Sequence, residues 1–163
     1  MQPITPCLWF DHQAEEAAKF YTSIFKNSRT GNISRYGKAG REIHGMEAGT
    51  ALTVEFELNG QKFVALNGGP VFKFNEAVSF QVFCDTQNEI DYYWEKLTEG
   101  GDPKAQQCGW LKDKFGMSWQ VVPSVLGKLM SDPNRVKADR VMKALLPMKK
   151  LDTSALQKAY DGN

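Results

Sequence analysis

The sequence predicts an α+β fold of two βαβββ modules that form a curved mixed sheet around a cleft, with helices following at the C-terminus. The main observation is that a strand, a helix and three further strands follow one another twice. The two helical patterns also coincide when the sequence is shifted by seventy-three positions. This shift places Ile90, Tyr93, Trp94 and Leu97 on Ala17, Phe20, Tyr21 and Ile24.

The length and composition fit one globular domain. The chain has 163 residues, of which 42% are hydrophobic and 24% are charged. We expect a single domain, residues 1–163, with a first module at 1–74, a second at 75–124 and a helical tail at 125–163. The net charge of +1 gives no electrostatic footprint for nucleic acid or an anionic membrane, so neither is predicted as a partner.

The cysteines and the first residues favour the cytoplasm. Cys7, Cys84 and Cys108 are odd in number and scattered, which argues against a disulfide framework and against a cysteine-rich zinc site. The start of the chain lacks a basic segment followed by an apolar one, and no apolar run is long enough to span a bilayer. We therefore expect a cytoplasmic protein.

The first module starts with a strand and a helix. The apolar segment Ile4–Phe10 predicts the strand, and Ala14–Phe25 predicts the helix, whose acidic first turn suits the helix dipole. A second strand is expected at Ser28–Tyr36, followed by a glycine-rich loop at Gly37–Gly49.

A hairpin completes the first module. Alternating apolar residues predict a strand at Leu52–Leu58, and Asn59-Gly60 is a strong signal for a two-residue turn. The partner strand is then Gln61–Asn67. This register pairs Glu57 with Lys62 and Phe56 with Phe63, and both pairs are favourable.

The second module repeats this order. A strand at Val78–Cys84 precedes a helix capped by Asp85 or Thr86 and stopped by Gly100-Gly101. Three short strands are expected after it, at Lys104–Gln107, Gly109–Lys112 and Ser118–Pro123. The segment Asp113 to Gly116 is predicted to be the turn that leads into the last of them.

The tail is predicted to be helical. Asp132-Pro133 fits a cap followed by proline at the first helical position, and Pro147 ends the helix. Thr153–Tyr160 supplies a last turn or two. The apolar stripe of the main tail helix favours docking on the body of the protein or on a second subunit; it consists of Ala138, Val141, Met142 and Leu145.

These features together resemble the PhnB-like branch of the vicinal oxygen chelate superfamily. The resemblance is carried by Phe20-Tyr21, Asn67-Gly-Gly-Pro70, Cys108-Gly-Trp-Leu-Lys-Asp-Lys-Phe-Gly-Met-Ser-Trp-Gln-Val-Val-Pro123 and the Met148-Lys-Lys-Leu-Asp tail. The superfamily contains glyoxalase I, extradiol dioxygenases and the bleomycin and fosfomycin resistance proteins. Members of the branch are often labelled 3-demethylubiquinone-9 3-methyltransferase. We reject S-adenosylmethionine-dependent methyl transfer, because no glycine-rich G-x-G turn follows a strand.

The resemblance also implies where a metal would bind. Metal-dependent relatives hold one divalent ion on four inward-facing strand positions, which match Pro6, Ala65 or Asn67, Ser79 and Gln120 here. Because these side chains are absent or poor ligands, we expect neither a metal nor a cofactor. One alternative stays open, a displaced site formed by His44 with Glu47 or Glu55.

Neutral polar groups among aromatic residues are typical of a small-molecule pocket. We expect the cleft to be lined by Phe10, His44, Asn67, Ser79, Gln81, Trp110 and Gln120. The leading hypothesis is a metal-free protein that binds a small molecule. The alternatives are a metal-dependent lyase, isomerase or dioxygenase with a non-standard site, and a structural or regulatory dimer with a vestigial cleft. The catalytic residues of such an enzyme are unknown. The resemblance also implies a homodimer.

Overall fold

The structure is a computed structural model that describes residues 4–163. It divides into two compact units, one ending at Phe74 and the other comprising Asn75–Asn163. The prediction about the first residues of the chain falls partly on residues 1–3, which lie outside the described residues. The single domain with its internal repeat stays a prediction.

The first unit is a four-stranded mixed sheet with one long helix. Its elements are β1 (Cys7–Phe10), α1 (Ala14–Ile24), β2 (Arg29–Arg35), α2 (Arg41–His44), β3 (Ala51–Leu58) and β4 (Gln61–Asn67). The strand order is β1-β4-β3-β2, in which β1 and β4 run parallel and the other neighbours antiparallel. One prediction changes here, because the glycine-rich loop contains the short helix α2.

The predicted hairpin register is confirmed. Phe56 pairs with Phe63, and Glu57 pairs with Lys62. The two phenylalanine rings stack with centroids 5.2 Å apart, while Asn59 adopts the left-handed φ of +47° that the tight turn requires. The local sequence therefore specifies this pairing.

The second unit holds a smaller mixed sheet. Its core elements are β5 (Ser79–Cys84), α3 (Gln87–Thr98), β6 (Trp110–Lys112) and β7 (Ser118–Pro123). The order is β5-β7-β6, with β5 and β7 parallel and β6 antiparallel to β7. This pattern repeats the β1-β4-β3 part of the first sheet and supports the predicted α+β class.

The strand predicted at Lys104–Gln107 is wrong. The segment instead forms a 3₁₀ turn at Pro103–Ala105, and only Gln107 makes an isolated bridge, to Trp110. The Asp102 carboxylate accepts a hydrogen bond from the backbone N–H of Lys104, and proline occupies the first position of the turn. A capping acid followed by proline favours a helical turn over a strand.

Helix α3 has the predicted cap. The Thr86 hydroxyl accepts the backbone N–H of Glu89, and the Glu89 carboxylate accepts the backbone N–H of Thr86 at 3.0 Å. This reciprocal pair is a capping box. On the inner side of the helix, Ile90 and Leu97 are fully buried.

The turn before β7 is organised by one buried carboxylate. Asp113 accepts hydrogen bonds from the backbone N–H groups of Phe115 at 2.9 Å and Met117 at 3.1 Å, and from the indole N–H of Trp119 at 2.8 Å. The carboxylate thus fixes both the loop and the first inward-facing aromatic residue of the strand.

The tail forms three helices within the second unit. They are α4 (Leu126–Met130), α5 (Arg135–Leu145) and α6 (Thr153–Asp161). Their shared core consists of Leu129, Val141, Leu151 and Leu156. The chain before α6 is tied to α3, since the side chain of Gln87 bonds to the backbone of Leu151 and Thr153. The apolar stripe of α5 instead packs against α4 and α6 of the tail itself, so the predicted docking of this stripe on the body of the protein is not confirmed.

The start of α5 lies two residues later than predicted. Asn134 is the cap, and its side-chain oxygen accepts the backbone N–H of Val136. Asp132 instead accepts the backbone N–H of Asn134 at 2.7 Å, so that Asp132-Pro133 forms the turn before the helix. Within residues 4–163, no helix is both long enough and apolar enough to cross a membrane.

Candidate functional site

The sheet of the second unit has one covered face and one open face. Val82, Cys84 and Val121 point to the covered face, where α3 packs, and are buried. Side chains alternate along a strand, so Ser79, Gln81 and Phe83 of β5 point the other way. We call this second side the open face.

A row of three polar and aromatic side chains crosses the open face. Trp110, Gln120 and Gln81 are direct neighbours on β6, β7 and β5. The Gln81 amide donates to the Gln120 side-chain oxygen at 3.2 Å, and the Gln120 amide donates to the Ser79 hydroxyl at 2.8 Å. Because Ser79 accepts in this chain, its own hydroxyl hydrogen remains available for another acceptor.

A second row lies beside the first. Lys112, Ser118 and Ser79 are neighbours on the same three strands. The Lys112 ammonium forms an ion pair with the Glu76 carboxylate, and the hydrogen bond from this ammonium lowers the pKa of Glu76. The positive charge of Lys112 is thus already balanced next to the open face.

A cavity of about 450 Å³ opens beside these rows at the β6 edge. This size lies within the range of small-molecule sites. All of its lining belongs to the second unit: Glu76, Ala105, Gln107, Cys108, Trp110, Leu111, Lys112 and Ser118. Four of the residues predicted for the cleft, Ser79, Gln81, Trp110 and Gln120, therefore come together near a real concavity.

Two predicted residues of the first unit lie on its covered face. Phe10 is 3% exposed, and its ring meets that of Phe74 edge-on at 5.1 Å. Asn67 is buried; its side-chain oxygen accepts the backbone N–H of Ala14 at 2.8 Å, and its amide donates to the Ala51 carbonyl at 3.0 Å. Asn67 thus fastens the first turn of α1 to the sheet.

This placement corrects the matching of the two halves. Ala65 and Asn67 share a face with Phe56 and Phe63, the side on which α1 packs, so they are not counterparts of Gln120. In β4, Ala65 and Asn67 alternate onto the covered face, whereas in β7 the residues on the covered face are Trp119 and Val121, so Gln120 lies on the opposite side. A shift of one residue exchanges the two faces of a strand.

The imidazole ring of His44 is held in place by two backbone groups and by the Tyr36 ring. Its Nδ1 accepts the backbone N–H of Met46 at 3.0 Å, and its Nε2 lies 3.2 Å from the Ala39 carbonyl, which it reaches as a donor. The ring also packs on Tyr36, with centroids 4.5 Å apart. Both ring nitrogens of His44 are therefore engaged by the backbone around them.

The residues present do not fit the divalent metal that the resemblance implies. In residues 4–163, no three His, Cys, Asp or Glu side chains cluster closely enough to hold an ion. His44, Glu47 and Glu55 therefore do not form the displaced site; Glu47 pairs with Arg41, and Glu55 accepts from Asn32 at 3.2 Å. The open face of the second unit offers neutral amides and hydroxyls, which are weak ligands for transition metals.

Three residues of the site were not among those predicted from the sequence. Lys112 and Glu76 are far apart in the chain but form an ion pair, and Ser118 is a buried hydroxyl that lines the cavity. For Lys112 and Ser118 a signal was available, because each lies two residues from a predicted pocket residue of the same strand, Trp110 and Gln120 respectively. Their contact with Glu76 and the cavity depends on the fold.

Comparison with known proteins points to one family. The family model described as 3-demethylubiquinone-9 3-methyltransferase matches residues 2–122. A PhnB protein from Bacillus cereus, whose description carries the same methyltransferase name, is 39% identical; the alignment covers 75% of this chain and 99% of that one, with a TM-score of 0.63. A comparison with curated proteins gives no match.

More distant solved structures share the fold. Protein PA1353 from Pseudomonas aeruginosa is 17% identical with a TM-score of 0.57, and covers 76% of this chain and 98% of its own. The fosfomycin resistance protein FosX from Mesorhizobium loti is 13% identical with a TM-score of 0.54, and covers 80% of this chain and 98% of its own. The family model ends at Val122, so the tail helices lie beyond the matched residues.

Proposed function

Because the chain belongs to the PhnB-like family described as 3-demethylubiquinone-9 3-methyltransferase, within the vicinal oxygen chelate superfamily, we propose that it is a small-molecule-binding protein that uses no metal. The ligand lies on the open face of the second sheet. The observation that carries this proposal is the row Trp110, Gln120 and Gln81, whose amides are linked to Ser79 beside a cavity.

The family's methyltransferase name is not part of the proposal. A Rossmann-type methyltransferase holds its cofactor on a glycine-rich turn between a strand and a helix. The corresponding turns here are Asp11-His12-Gln13 after β1 and Asp85-Thr86 after β5, and neither contains glycine. Both turns therefore lack the glycine that would let their own backbone come close to a bound cofactor.

The chemistry of the row suits a planar ligand with a few polar groups. The Trp110 ring supplies apolar surface, while Gln81 and Ser79 present donors and acceptors at the two ends of the hydrogen-bonded chain. The mutual bonds hold Gln120 in one orientation, so less side-chain entropy is lost when a ligand binds.

A thermal-shift screen tests the proposal. The full chain is heated with bleomycin, with fosfomycin and with a panel of small aromatic compounds. A ligand present at one hundred times its Kd adds about 2.7 kcal/mol to the folded state, which raises the Tm of a chain of this size by roughly 5–10 °C. The Gln120→Ala variant is expected to lose most of this shift.

The matched control is Gln157→Ala. Gln157 is an exposed glutamine of α6 that bonds to Asp161, so its loss should leave the shift unchanged. If no compound of the panel raises the Tm of the wild-type chain, the binding proposal fails and the vestigial-cleft hypothesis gains. If Gln120→Ala retains the full shift, the ligand binds elsewhere.

We also propose a homodimer, on the strength of the family resemblance alone. The apolar stripe of α5 no longer supports it, because Ala138 and Val141 are buried within the second unit. Light scattering coupled to size-exclusion chromatography tests this expectation; a mass of 18.3 kDa, that of one chain, would contradict it.

A further inference from the structure

The Ser118 hydroxyl is a buried polar group with unmet hydrogen-bonding capacity. Ser118 stands at the start of β7 on the open face and is 1% exposed. Its Oγ has no hydrogen-bond partner among residues 4–163. Burying a hydroxyl without a partner destabilises a protein, and such a group in a cavity is satisfied when a ligand supplies the partner.

Several other polar side chains of the cavity already have partners. Lys112 and Glu76 pair with each other, the Gln107 amide donates to the Leu146 carbonyl, and the Cys108 thiol lies 3.5 Å from the same carbonyl oxygen. Trp110, Leu111 and Ala105 supply apolar surface. Ser118 Oγ is thus a buried polar atom of this lining to which a ligand can supply the hydrogen-bond partner.

We propose that Ser118 determines the specificity of this cavity for neutral aromatic molecules that carry a hydroxyl group, the phenol class. This inference rests on the proposed binding function and names the ligand class of the same site. A hydroxyl on the ligand can both donate to and accept from Ser118 Oγ. The ring then contacts Trp110, which lines the same cavity of about 450 Å³ and lies on the same face of the sheet as Ser118.

The charges around the cavity favour a neutral ligand over an anion. The Lys112 ammonium is neutralised by Glu76, and that carboxylate would repel a second negative charge. Burying a net charge against Ala105 and Leu111 is also costly without a free counter-charge. A hydroxylated ring therefore fits the lining better than a carboxylate or a phosphate.

The test compares 2-naphthol with naphthalene. Both are titrated into the full chain and followed by ligand-observed NMR, in the wild type and in Ser118→Ala. Loss of one buried hydrogen bond is expected to weaken 2-naphthol about tenfold. The affinity for naphthalene should stay the same. The variant should unfold at the same or a higher urea concentration than the wild type, because it removes an unsatisfied hydroxyl.

Thr153→Val is the matched control, because Thr153 Oγ1 is also buried without a partner but does not line the cavity. It should leave both affinities unchanged. If 2-naphthol binds the wild type and Ser118→Ala with equal affinity, the inference is overturned. If Gln120→Ala still weakens the binding of 2-naphthol in that case, the proposed function survives. The inference is also overturned if Ser118→Ala unfolds at a lower urea concentration than the wild type, because Ser118 then has a structural role. If 2-naphthol fails to bind the wild type, the ligand class is wrong, and the broader screen decides the function.

Discussion

Replacing Asp113 should destabilise the second unit more than any exposed substitution. Its carboxylate is 3% exposed and accepts two backbone N–H groups and the indole N–H of Trp119. In Asp113→Asn the side-chain oxygen can still serve the two backbone groups. The new amide then faces the indole N–H, so two donors oppose each other.

The magnitude follows from the bonds lost. Breaking one hydrogen bond to a buried charged group and leaving its donor unpaired costs about 2 kcal/mol in Asp113→Asn. Asp113→Ala loses these three hydrogen bonds of the carboxylate, which costs about 3–5 kcal/mol. Trp119→Phe removes the indole donor, and in that background Asp113→Asn should cost less by about 1–2 kcal/mol.

Urea unfolding followed by circular dichroism measures these free energies, and the double-mutant cycle isolates the Asp113–Trp119 term. Asp139→Asn is the matched control, because Asp139 is an exposed aspartate of α5. Surface substitutions usually change the free energy of unfolding by no more than about 0.5 kcal/mol. If the free energies of unfolding of Asp113→Asn and Asp139→Asn differ by no more than this, or if the cycle gives no coupling, then Asp113 does not organise the turn.

Two further predictions concern packing and pH. In Gly68→Ala, the added Cβ would lie 2.2 Å from the Trp9 ring, so the variant should lose about 1–3 kcal/mol of stability in urea unfolding, whereas Gly37→Ala, where nothing lies within 4 Å, should not. Equal stability of these two variants would show that Trp9 moves aside freely. Burial, with Glu89 and Asp85 nearby, raises the pKa of the Cys84 thiol to about 11 from 9.0. The folded state therefore holds this proton more tightly than the unfolded state, so the stabilisation is present below pH 9 and is lost as the pH rises through 11. The free energy of unfolding between pH 8 and 10.5 should fall more steeply in the wild type than in Cys84→Ala, and parallel slopes would contradict the assigned pKa.

Elements with strong local signals were predictable. The hairpin at Asn59-Gly60, the strand Gln61–Asn67, the helix from Ala14 and the final strand Ser118–Pro123 agree with the structure. In each case turn chemistry and periodicity favour the same structure. The strand predicted at Lys104–Gln107 was wrong although Asp102-Pro103 carried the capping signal, and at Asp132-Pro133 the same dipeptide precedes a helix that begins later.

The sequence alone determined the α+β class, the family and the polar character of Gln120, Gln81 and Ser79. These properties follow from composition and local periodicity, which can be read without knowing which residues are in contact. Only the tertiary structure decided which face each strand presents. Asn67, predicted for the pocket, lies on the covered face of β4 and holds the first turn of α1, because alternation along a strand sends neighbouring residues to opposite faces. It also decided that Ser118 would be buried without a partner, since burial depends on residues distant in the chain, such as Ser79 on the neighbouring strand.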